Sequence, residues 1–136
     1  MWRGSRHAKH PCIDLTIAGT AGHPCDLAPT VDTGFSGFLL LPKSLAEPHQ
    51  LAPIGSTKAK LADGSSCDMP VSLVNVGFAG RTRAGSATIA QKDCHPLVGL
   101  DFLRIFELTL VIDNRSLCLL PNGSMLNILY PGPVAP

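Results

Sequence analysis

Residues 31–37 read Val31-Asp32-Thr33-Gly34-Phe35-Ser36-Gly37 and run straight into the apolar stretch 38–41. A carboxylate set among so many apolar side chains is costly unless it is hydrogen-bonded or does chemistry. Thr33 and Ser36 supply hydroxyls for that purpose. Gly34 lets the backbone turn tightly and lets a second backbone or a substrate come close. The stretch occurs once in 136 residues, so any chemistry that needs a pair of such loops needs a pair of chains.

Composition limits what surrounds this loop. Hydrophobic residues make up 45% and charged residues 15% of a chain whose net charge is +1. That is enough apolar material for one domain with its own core, under a sparse charge coat of the kind found where a partner covers part of the surface. Thirteen glycines and twelve prolines favour short strands and turns over long helices. Lys and Arg do not cluster into a nucleic-acid footprint. The basic residues Arg3, Arg6 and Lys9 read as a solvated leading segment. No apolar run is long enough for a membrane helix, and no secretory signal is readable. Five cysteines without a Cys-x-x-Cys pair fit reduced thiols, hence the expectation of a cytoplasmic protein.

Outward from the loop, residues 13–18 alternate as a strand, and 19–22 form a turn. That turn would place residue 16 opposite 25 in a second strand, 23–27. Pro29 cannot donate to a ladder, which predicts an edge strand or a bend there. A short helix is expected from Pro42 over 43–50. The clearest hairpin joins 57–62 to 67–76 through Asp63-Gly64. A turn at 77–80 leads to a strand over 81–90. Leu97-Val98-Gly99 precedes a helix over 100–106, for which Asp101 is the expected N-cap. Residues 108–112 and 117–120 pair across Asp113-Asn114, and 125–130 form a last apolar stretch. Both halves run from a hairpin to an apolar pair and a glycine, a faint internal repeat.

Three segments together resemble the retropepsin family, the small aspartic peptidases of retroviral type: Val31-Asp32-Thr33-Gly34-Phe35-Ser36, Leu61-Ala62-Asp63-Gly64-Ser65, and Leu97-Val98-Gly99-Leu100-Asp101-Phe102-Leu103. They fall in the family's order over residues 13–120, flanked by an N-terminal segment 1–12 and a tail 121–136. The resemblance implies a mostly β, closed barrel with one short helix, acting as a homodimer. It implies an aspartic endopeptidase, a hydrolase without cofactor or metal, in which Asp32 is catalytic. Thr33 would lock the two loops together, Gly34 would shape the turn, and Ser36 would hold the outer carboxylate oxygen. Ala62, Asp63 and Gly64 would form the tip of a flap over a peptide substrate. Leu97, Val98 and Gly99 would pack beside the active loop, and the N-terminal segment or 125–130 would supply the inter-subunit sheet. Pro29 and Thr30 depart from the apolar lead-in usual before the motif, and Phe35 stands where Ala is common. The alternative is a retropepsin-like module that no longer cuts and serves in dimerisation or peptide binding, with no nucleic acid or membrane as partner.

Two further readings use histidine and cysteine. His10, Cys12, His23, Cys25, Cys94 and His95 hold enough ligands for a zinc site, but the expected hairpin keeps Cys12 away from Cys25. A Cys94–His95 nucleophile is disfavoured because adjacent strand residues face opposite ways.

Overall fold

The computed structural model describes residues 2–7, 10–19, 23–60, 63–112 and 117–122. Among the described residues twelve strands form one mixed sheet in the order β11-β12-β1-β2-β5-β10-β6-β9-β8-β3-β4, with β7 paired to β8. The strands are β1 (Trp2–His7), β2 (His10–Cys12), β3 (Leu15–Ala18), β4 (Cys25–Leu27), β5 (Thr30–Val31), β6 (Leu39–Pro42), β7 (Pro53–Lys60), β8 (Ser66–Phe78), β9 (Arg81–Ala90), β10 (Leu97–Val98), β11 (Leu108–Ile112) and β12 (Leu117–Pro121). Among the described residues two short helices, α1 (Lys43–Ala46) and α2 (Leu100–Ile105), interrupt it, where the resemblance implied one.

Strand β8 organises the sheet. Its first half pairs with β7 and its last residues with β3, while β9 runs along its other edge. Val74, Val76 and Phe78 alternate inward against exposed Leu73 and Asn75, the period of two that half-buries a strand. At the far end, Phe78 pairs with Arg81 across Ala79-Gly80, both at positive φ. The turn is therefore two residues long, shorter than the expected 77–80.

The core lies between this sheet and α2. Phe102 and Phe106, one helical turn apart with ring centroids 4.7 Å apart, enter it from the helix and meet Phe38 and Phe78 at ring-centroid separations of 5.6 to 6.4 Å. All four are buried. Offset and edge-to-face contacts of this kind stabilise beyond the area they bury. The phenylalanine outside the cluster is Phe35, in the loop after Asp32.

Several expectations are corrected. Residues 2–7 do not trail as a solvated leader: β1 pairs with both β12 and β2. The β3–β4 register is Thr16 opposite Asp26 and Ile17 opposite Cys25, one residue from the expected 16-to-25 pairing, so Leu15 and Leu27 share a face. Strand β5 is interior, flanked by β2 and β10. Pro29 stands just before its first residue and is itself buried, so its missing N–H leaves no gap in the ladder. Helix α1 stops after one turn, with Pro42 as its N-cap residue. Residues 20–22, 113–114 and 125–130 lie outside the described residues. Among the described residues no helix is long and apolar enough to cross a membrane.

Candidate active site

Asp32 leaves the end of β5, and its N–H donates to the Val98 carbonyl at 2.9 Å. Strand β10 is threaded between β5, to which it runs parallel, and β6, to which it runs antiparallel. The strand entering the loop and the strand leaving it thus grip the same two residues, Leu97 and Val98. Val31 and Val98 are both buried and fasten this crossing to the core.

Two local bonds shape the loop. The Asp32 carbonyl accepts from Phe35 N–H at 3.1 Å, and its Oδ1 accepts from Gly34 N–H at 2.8 Å. The second closes an Asx-turn and turns the carboxylate inward over its own loop. Asp32 is half-buried, while Thr33, Gly34 and Ser36 are exposed. The Ser36 hydroxyl forms no hydrogen bond among the described residues. Ser36 contributes through its backbone instead, as follows.

The start of α2 is capped by the loop that follows Asp32. Leu100 N–H donates to the Phe35 carbonyl at 2.9 Å, and Asp101 N–H is shared between the carbonyls of Ser36 and Gly37, each at 3.2 Å. The free donors of a helix's first turn are met by the loop rather than by a side chain. Asp101 is therefore not the expected N-cap. That position is Gly99, without a side-chain cap, and the Asp101 carboxylate pairs with Arg104 at 3.1 Å on the surface, a contact worth little. Loop and helix hold each other in place.

The expected flap tip lies on a separate hairpin. Lys60 pairs with Ser66, and the turn between them carries Gly64 at φ +88°. Ala62 lies outside the described residues. The Asp63 carboxylate accepts from both the hydroxyl and the N–H of Ser65; these bonds, the hydroxyl foremost, hold its pKa below the usual aspartate value. A depressed carboxylate pKa means a tip stabilised at neutral pH and loosened as the pH falls through that lowered pKa. The protection of the Ser65 amide, measured against its intrinsic exchange rate at each pH, should fall across that acidic window in the native chain. In an Asp63→Ala variant that protection should be absent at every pH.

Sequence reading missed a cluster at the entry to the crossing. His95 Nε2 lies 3.1 Å from the Ala28 carbonyl oxygen and 4.0 Å from Cys12 Sγ. Cys12 Sγ is 3.7 Å from Thr30 Oγ1. The signal was present: Ala28-Pro29-Thr30-Val31 and His95-Pro96-Leu97-Val98 repeat the pattern x-Pro-x-Val, and the two copies lie side by side in β5 and β10. Partial burial and the neighbouring Asp93 push the Cys94 thiol up, away from the low pKa of a nucleophilic cysteine. Among the described residues no three His, Cys, Asp or Glu side chains gather around a metal position.

Three solved structures similar to this chain are retropepsin-like or retroviral proteases. A retropepsin-like aspartic protease from Rickettsia conorii superposes with a TM-score of 0.66 at 19% identity, over 87% of this chain and 88% of that one. The EIAV protease, solved with the inhibitor HBY-793, gives 0.60 at 18% identity, over 79% and 98%. The Simian Foamy Virus (mac) protease gives 0.50 at 18%, over 68% and 91%. No protein-family model and no curated protein matches the sequence. The chain has the retropepsin-like fold.

Proposed function

We propose that the chain is an aspartic endopeptidase whose active site is completed by a second copy of itself. The observation that carries this reading is the position of Asp32. It sits on a tight loop at the end of an interior strand, braced by β10 and α2, in a fold shared with aspartic proteases. One such loop provides one carboxylate. Two carboxylates about 3 Å apart cannot both ionise and so share a proton. One then takes a proton from a water molecule as that water attacks the scissile carbonyl, while the other protonates the carbonyl oxygen. A two-fold dimer provides the second carboxylate, because such an interface sets one surface patch against its own copy.

Thr33, which is exposed, would bind the neighbouring loop through its hydroxyl. The hairpin β7–β8 closes over a peptide bound in extended form, which gains main-chain hydrogen bonds as an added strand. The test is hydrolysis of unstructured peptides by the purified chain. Cleavage blocked by a hydroxyl-bearing mimic of the tetrahedral intermediate is the expected result. Binding of the mimic without any cleavage would leave only the silent, peptide-binding module.

A further inference from the structure

We propose that Lys60 directs this chain to acidic peptides: its ammonium, on the inner face of the β7–β8 hairpin, pairs with an Asp or Glu of the substrate. The proposal rests on the endopeptidase reading and adds a substrate class to it.

Side chains alternate along a strand. In β8, Ser72, Val74, Val76 and Phe78 are buried and mark the face turned toward the core. Counting back by twos from Ser72 toward the hairpin tip gives Pro70, Asp68 and Ser66. The residues directly opposite them in β7 are Ser56, Lys58 and Lys60, and directly opposed residues share a face. The register runs unbroken from the Gly55–Val71 pair to the Lys60–Ser66 pair, so no bulge re-aims these side chains. The inner face of the hairpin therefore carries two cations and one anion, all exposed.

The three charges are not equivalent. Lys58 stands across from Asp68, which offsets it, whereas Lys60 stands across from Ser66. The acid at the tip, Asp63, is taken up by Ser65. Among the described residues Lys60 forms no ion pair. When the hairpin closes over an extended peptide, this ammonium leaves bulk water. An acidic substrate side chain compensates that loss, an apolar one returns nothing, and a basic one adds repulsion. The flexible four-carbon stem lets the charge follow its partner. In a two-fold dimer each hairpin brings its own Lys60, so the preference falls on both sides of the cut.

The experiment compares kcat/KM for peptides carrying Glu, Gln or Lys at each position around the cleaved bond. The native chain should prefer Glu over Gln roughly three- to tenfold at one position on each side of the cut, and should disfavour Lys there. Lys60→Gln should abolish this preference, Lys60→Glu should reverse it, and Lys60→Arg should keep it. Lys43→Gln removes the same charge from an exposed site on α1 and should leave it unchanged. Raising the salt from about 50 mM to about 500 mM should shrink it, because screening weakens the pairing of charges that water still reaches. A native chain without the preference, one whose preference survives in Lys60→Gln, or one that loses it equally in Lys43→Gln overturns the proposal while the protease reading stands. A native chain that cuts no peptide, or cleavage that persists in Asp32→Asn, overturns both.

Discussion

Asp32→Asn is expected to lower peptide hydrolysis by on the order of 10³-fold or more while the chain still folds. The asparagine side chain has the same shape, and its amide oxygen can still accept the Gly34 N–H bond that closes the loop. What it lacks is a group that can take a proton from water. Mixing sharpens the test. If each site draws one carboxylate from each of two chains, a re-equilibrated equal mixture of native and variant chains keeps about a quarter of its sites intact. If each chain worked alone, half would remain. Activity of the mixture relative to an equal total of native chain distinguishes the two.

Gly99→Ala is expected to cost about 3 kcal/mol of stability and to disable the site. The backbone torsions at Gly99, φ −119° and ψ −163°, suit any residue, so space alone selects glycine. A β-carbon there would fall 2.5 Å from the Gly37 carbonyl oxygen and closer still to that of Phe35. Both obstacles are main chain and cannot swing aside as a flexible side chain would. The Phe35 and Gly37 carbonyls are also the acceptors for the first N–H groups of α2, so relieving the clash breaks the join between loop and helix. Gly55→Ala is the control: a β-carbon at Gly55 meets nothing within 4 Å, and the change should move the denaturation midpoint little. Chemical denaturation of the two variants beside the native chain gives the comparison.

These two residues also mark how far the sequence could be read. The Asp-Thr-Gly loop and the Asp63-Gly64 hairpin were legible because turn chemistry is local: a few side chains and their torsions decide it. Strand β9 was legible because a turn signal at Ala79-Gly80 precedes it. The cap of α2 was not legible. Asp101 has the right chemistry for a cap, and only the folded chain shows that carbonyls more than sixty residues away do that work. The interior place of β5 was hidden for a similar reason. Pro29 argues locally for an edge, whereas the partners of Thr30 come from β2 and β10. The one-residue slip in the β3–β4 register followed from fixing the turn at 19–22 on composition, when loop length sets register. His95 was weighed only as a metal ligand or a catalytic base. Its contact with Ala28 emerges from the parallel pairing of two x-Pro-x-Val segments, a long-range relation that neither segment announces.

The claim on which the rest stands is that one Asp32 meets another. The direct measurement is the separation of the two Asp32 carboxylates in an experimentally determined structure of the chain at concentrations where it is active. A two-fold dimer with those groups about 3 Å apart is the result expected. A chain whose Asp32 faces solvent, with no second Asp32 able to approach it, would contradict the account.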